Sequence, residues 1–244
     1  MTIRYLFSAL GLGLCACISA FSQGSLVIND PTTVPPVTGG PIEVKYKLSA
    51  AEQSVMDKYV YPKARARLKE SCDEEALDIS GRHSGSFTKA GADQTAIFYQ
   101  YCQTGNGMGS AGLVILENGK PVANFIAEQA GWTQDSAVLP DINQNGLDEI
   151  ELYYSGGMHQ GEGGVGVDIV EYSAGRIKGI GWYQSDGFSE TGPVFGFKIT
   201  VNPGKVPAFF KQKYLQNAAG KWRMSGKVLP LKLGEIVGPF EALN

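Results

Sequence analysis

The sequence predicts a mainly β fold, a β-propeller-like array or a stack of antiparallel blade repeats, with an N-terminal helix. Glycine fills 32 of 244 positions without a Gly-X-Y period, which signals many turns rather than collagen. From about Glu75 onward, helical spacing gives way to short alternating apolar runs broken by glycine turns. A unit of strands, loop and hairpin then recurs about three times at a spacing of roughly 50 residues, as propeller blades do. The hydrophobic content of 43% supports a packed core, and the length allows one large or two small domains.

Residues 1–22 read as an export signal. Arg4 supplies the positive start, Tyr5–Ile18 is an apolar run too short to span a bilayer, and Ala20-Phe21-Ser22 offers small residues for cleavage before Gln23. A competing reading takes Leu14-Cys15-Ala16-Cys17 as a lipobox with a lipid anchor on Cys17. The first predicts a secreted or periplasmic protein, the second an outer-envelope lipoprotein. No second long apolar run follows, so no transmembrane segment is expected. The formal charge of −3 becomes −4 once Arg4 departs. That weak acidity, with no Lys/Arg-rich run, argues against nucleic acid as a partner.

Residues 23–48 are rich in Pro, Gly, Ser and Thr and predict a flexible linker, because such composition buries little apolar surface. Residues 49–71 predict a helical segment. Ser49 and Glu52 form a capping box, and Val55, Met56, Tyr59 and Val60 lie on one face. Pro62 predicts an end or kink near Tyr61, with Lys63–Glu70 able to continue beyond it. Residues 72–244 are the β-repeat domain. Cys72 and Cys102 are its two cysteines, and an even pair in an exported chain predicts a disulfide.

The repeat rests on an ungapped match of Gly85–Tyr99 to Pro140–Tyr154, with Gly91 over Gly146 and Asp93 over Asp148. A weaker copy, Ile199–Tyr214, puts Gly204 in the glycine place, and the three glycines are spaced by 55 and 58 residues. Each copy precedes a hairpin, at Leu116–Phe125, Val170–Ile180 and Leu215–Met224. Asn118-Gly119 suits a type I′ turn, where both central residues need positive φ.

The best-preserved copy, PDINQNGLDEIELYY, carries the chemistry. Asp141, Asn143 and Asn145 place oxygen donors at alternate positions, Gly146 permits the sharp turn, the Leu147 carbonyl can contribute, and Glu149 closes the set. Calcium takes 6–8 oxygen ligands in flexible geometry, so this pattern predicts a calcium loop. An EF-hand is excluded, since its twelfth position needs a bidentate acid and here holds Leu152. Two carboxylates with two neutral amides predict weak affinity, on the order of 10⁻⁴–10⁻³ M. The competing reading is a metal-free loop of Asx turns. Ser86, Thr88 and Ala90 in the first copy, and Val201, Pro203 and Pro207 in the third, predict empty loops.

DINQNGLDEIEL resembles the FG-GAP/VCBS-type repeat of integrin-like β-propellers, whose loops read roughly D-x-N/D-x-D/N-G-x-x-D/E before an apolar strand. The resemblance implies that the loop joins two strands of a blade and binds calcium. It covers Asp141–Leu152 well, Ser86–Ile97 in degenerate form and Val201–Phe210 barely. Three units are fewer than the 4–8 blades of a closed propeller.

Catalytic constellations are sparse. His83 adjoins Ser84, but neighbours on a strand point to opposite faces, so His83 reads as an exposed or hydrogen-bonded turn-edge residue. His159 and Glu162 lie in the Gly-rich stretch Ser155–Gly166 without a second histidine, short of a transition-metal ligand set. Glu74 and Glu75 are too isolated to serve as an acid/base pair. The chain therefore reads as an exported binding or scaffolding module for a protein or glycan at the envelope, with structural calcium as cofactor and no enzyme activity expected. The alternative is a secreted hydrolase with its site in Ser155–Gly166 and Gly105–Ser110.

Overall fold

The computed structural model describes residues 24–33, 46–68, 72, 75–104, 108–128, 130–155, 161–236 and 240–243. The export signal with Cys15 and Cys17, Glu74, His159 and the glycines at 105 and 107 lie outside the described residues.

The helical segment starts as its capping box dictates. The Ser49 hydroxyl accepts from the Glu52 amide at 3.2 Å, and the Glu52 carboxylate accepts from the Ser49 amide at 2.8 Å. Helix α1 (Ala50–Val55) runs through a π-helical turn at Met56–Val60 into α2 (Tyr61–Arg67). The wide turn lies just before Pro62, whose ring removes an N–H and crowds the preceding turn of an ordinary helix. It also resets the buried face. Met56, Val60, Ala64 and Leu68 are buried at four-residue spacing with Tyr61, while Tyr59 stays 47% exposed. The expected inward position of Tyr59 is therefore corrected to Tyr61.

The rest is mainly antiparallel β-structure in two sheets. The first holds β2 (Glu75–Gly85), β3 (Gln94–Thr104), β4 (Met108–Glu117) and β5 (Lys120–Ala127), in that order as a meander, with the short C-terminal strand Glu241–Ala242 on β5. The second continues as β6 (Trp132–Leu139), β7 (Glu149–Ser155), β8 (Glu162–Ser173) and β9 (Arg176–Ser189). It runs on through β10 (Phe195–Asn202), β11 (Ala208–Gln216) and β12 (Trp222–Met224), with β13 (Leu229–Leu231) also on β11. Register pairs join β9 to β10 only at Phe195–Gly187 and Gly196–Asp186, which lets the last strands fold back over the sheet.

Three apolar clusters separate four layers. Helix residues Met56, Val60 and Leu68 meet Ile97, Tyr99 and Val114 on one face of the first sheet. Its other face, with Phe98, Leu113 and Phe125, packs on Ile150, Leu152 and Val170. The far side of β7–β9 is covered in turn, where Val167, Ile169 and Tyr183 meet Ile199, Val201 and Phe209. Because both faces of β4 are covered, Gly109–Leu116 is buried without alternation. The hairpins take their expected form: φ is 50° at Asn118 and 70° at Gly119, and 50° at Ala174 and 82° at Gly175. Cys72 and Cys102 stand at disulfide distance, with Cα atoms 5.7 Å apart.

The linker reading of 23–48 is corrected over part of its length. Leu26–Asn29 forms β1, paired with β10 through Leu26–Val201 and Val27–Thr200. Leu26 and Ile28 pack into the third cluster, the Asn29 side chain donates to the Phe197 carbonyl at 2.6 Å, and Asp30 pairs with Lys198 at 2.8 Å. The short apolar run was hidden by averaging it with the Pro/Gly stretch behind it.

Asp168 on β8 gives the layered core a pH signature. Burial pushes its carboxyl up to about 6, from 3.8. Its folded pKa exceeds its unfolded one, so its contribution to stability is full below about pH 4 and is lost as pH rises through 6. Asp168→Asn is expected to reduce the fall in melting temperature between pH 4 and 6 by one proton's worth. An unchanged slope in a pH series of thermal melts would contradict this.

Candidate metal centre

The loop between β6 and β7 is tightly curled, with positive φ at Asp141 (38°), Gln144 (59°) and Gly146 (89°). Asp141 holds the curl together. One carboxylate oxygen accepts from the Asn145 amide at 2.7 Å and the other from the Gly146 amide at 3.0 Å. The side-chain oxygens of Asn143 and Asn145 accept from the backbone amides of Asn145 and Leu147, at 3.1 and 2.8 Å. A carbonyl oxygen has two lone pairs, so each retains capacity for another partner.

Both asparagine amides are oriented from outside the loop. The Nδ2 groups of Asn143 and Asn145 donate to one oxygen of Glu171 on β8, at 2.7 and 2.8 Å, while Lys178 donates to the other at 3.0 Å. Burial works to raise the Glu171 pKa, but the Lys178 and asparagine hydrogen bonds together hold it below its ordinary value. With its nitrogens committed to Glu171, each amide turns its oxygen back towards the loop. Glu171 was missed by sequence reasoning, because it sits 22 positions beyond Glu149 on the next strand and no local spacing announces it.

Glu149 lies at the floor of the site, fully buried. Its Oε2 accepts from the Ile142 amide at 2.9 Å, and Oε1 is buried without a hydrogen-bond partner. Burial pushes its carboxyl up to about 7; the Ile142 amide opposes this, and the charges of Glu171 and Asp141 add to it. The first copy of the loop shows what closes such a position when no charge is present. Gln94 occupies the place of Glu149, 55 residues earlier. Its Oε1 accepts from the Phe87 and Thr88 amides at 3.0 and 2.9 Å, and its Nε2 donates to Thr88 Oγ1 at 2.6 Å. The glutamine loop is self-satisfied. The glutamate loop leaves a bare carboxylate oxygen where the amide nitrogen would be.

The three equivalent loops also touch. Asp148 accepts from the Ser86 amide at 2.7 Å and donates its own amide to the Ser86 carbonyl at 2.9 Å. On the other side, the Gly204 amide donates to the Ile142 carbonyl at 2.9 Å, and Ile142 is fully buried. Asp148 is thus a tie between sheets. Gly91 and Gly146 share the left-handed conformation, and Gly204 does not, in keeping with the weakness of the third copy.

Among the described residues, no three His, Cys, Asp or Glu side chains form a ready ligand set. An ion here would depend on the amide oxygens of Asn143 and Asn145 and the Leu147 carbonyl beside Asp141 and Glu149. That donor set is all oxygen and suits a hard cation.

The other sequence candidates separate. His83 Nε2 lies 2.9 Å from Ser136 Oγ, with the Tyr46 ring edge-on at 5.6 Å, and burial lowers the His83 pKa. Ser136 sits directly against Gly81, where not even a Cβ would fit, so a substrate carbonyl has no approach from that side. Glu75 is engaged by Arg65 and by the Tyr101 hydroxyl, which hold its carboxyl down at about 2. Glu162 is exposed at the start of β8. No protein-family model matches the chain, and comparison with curated proteins and with solved structures finds no match.

Proposed function

We propose that this is an exported envelope protein whose 141–149 loop holds a structural calcium ion and whose layered β-domain acts as a binding or scaffolding module. The observation that carries the calcium reading is the partnerless buried oxygen of Glu149, set against the closed Gln94 loop in the same molecule. Asp141, Asn143, Asn145, the Leu147 carbonyl and Glu149 would hold the ion. Bound calcium would supply positive charge to a curl of carboxylates and dipoles; it would pin the loop and perform no reaction.

The propeller-like reading is supported by β2–β5 and β6–β9, two antiparallel four-stranded meanders with equivalent loops and hairpins. The strands β10–β13 would be a third, less regular unit. Export is supported by the N-terminal signal pattern and by a cysteine pair at disulfide distance, which suits an oxidising compartment.

Thermal melts with and without calcium test the ion. At tenfold excess over its Kd, calcium is expected to add about 1.4 kcal/mol, or roughly 3–6 °C for a domain of this size. Asp141→Ala is expected to melt lower and to lose the calcium response. The absence of any calcium-dependent rise in the parent protein would sink the reading.

A further inference from the structure

The net acidity of the chain conceals a division. Residues 195–236 hold 8 Lys or Arg and 1 acid, against 13 and 23 in the rest of a chain that totals 21 and 24. All of them belong to the last layer, β10–β13. Among the described residues, the only ion pair this set makes is Lys198 with Asp30. Lys211 and Lys213 lie instead over the rings of Phe197 and Phe195, at 5.4 and 4.8 Å to the centroids.

The same layer ends the stack. Ile199, Val201 and Phe209 turn inward to the third cluster. Register then places Thr200 with Phe210, Gly196 with Tyr214, Tyr214 with Met224 and Gln216 with Trp222 on the opposite face. Val27 of β1 joins them through Thr200. None of the three clusters of described residues covers this face. Val27 is 47% and Met224 62% exposed, and the adjoining turns add Val206 at 88% and Val228 at 55%. Four of the nine exposed large apolar side chains among the described residues thus gather here.

We infer that this face docks on an anionic phospholipid bilayer. Exposed aliphatic side chains at the tips of turns can enter the boundary between headgroups and acyl chains. Trp222 and Tyr214 are of the kind that settles at headgroup level. Lys205 and Lys227 adjoin Val206 and Val228 in the turns, and Lys221 precedes Trp222; these cations meet negative lipid headgroups, each strengthening attachment by about fivefold near such a surface. Lysine is depleted at protein–protein contacts, so its abundance favours the bilayer over a protein or a second copy. A nucleic acid would leave Val206 and Val228 without a role. The surface supplies a partner for the proposed binding module and does not depend on the calcium site.

Co-sedimentation of the exported protein with vesicles tests it, using phosphatidylcholine alone and an equal mixture of phosphatidylcholine and phosphatidylglycerol. Binding is expected to the mixture only and to weaken with salt. The triple variant K205E/K221E/K227E is expected to lose roughly a hundredfold or more in affinity. V206S/M224S/V228S is expected to lose at least about tenfold on vesicles while binding dextran sulfate as the parent does. All six positions are exposed, and unchanged melting temperatures would show that each variant folds. Sedimentation with neither vesicle, or equally with both, overturns the inference. So does undiminished binding by either variant. Concentration-dependent dimers that the aliphatic variant abolishes would assign the face to a second copy instead.

Discussion

Glu149→Gln is expected to raise the melting temperature of the calcium-free protein and to abolish the response to calcium. The parent loop buries a carboxylate with one oxygen unpartnered, which is costly in a low-dielectric interior. The substitution supplies an amide nitrogen at that position, and at the 55-residue offset Asn143 aligns with Thr88, whose Oγ1 receives Gln94 in the first copy. The loop would then close on itself as its earlier counterpart does. Removing a ligand and a charge at once leaves calcium with too few partners, so the expected gain of roughly 3–6 °C at tenfold excess over Kd disappears. Melts of both proteins in chelator and in excess calcium decide the matter. A glutamine variant that is less stable in chelator, or that still responds to calcium, contradicts the assignment.

Breaking the Cys72–Cys102 link is expected to cost about 3 kcal/mol, since a bridge across 30 residues removes a large loop-closure freedom from the unfolded chain. For a domain of this size that is a fall of roughly 6–12 °C in melting temperature. The double variant C72S/C102S reads the effect without reductant. Cys102 belongs to the cluster under the helix, and Cys72 ties the chain leaving that helix to β3. Protease cleavage in the variant is therefore expected to begin near the helix. Melting within 2 °C of the parent would show that the link carries little of the stability.

The parts legible in the sequence were those governed by local chemistry. The capping box needs only Ser49 and Glu52 three apart. The hairpin at Asn118-Gly119 needs only two residues that tolerate positive φ, and the curl of 141–146 follows from Asx side chains reaching their own backbone. The 55-residue offset even aligns Gln94 with Glu149, although its meaning emerges only when their partners are compared. What stayed hidden depends on distant strands. Glu171 reaches the loop because β8 pairs with β7, the burial of Tyr61 in place of Tyr59 depends on a widened helical turn, and β1 depends on an open edge of β10. Whole-chain charge also misled, because it averages an acidic body with a basic terminal layer.

The contacts of the 141–149 loop with Ser86 on one side and Gly204 on the other have a mechanical consequence. Three successive sheet layers are riveted at one end by a short line of main-chain bonds, much as pages are held at a spine. Between the first two layers the far end is tied as well, where the Gln100 side chain accepts from the Thr133 amide and the Ala130 amide donates to the Gly109 carbonyl. Tightening a single curl of nine residues thereby stiffens the one edge at which the three layers meet.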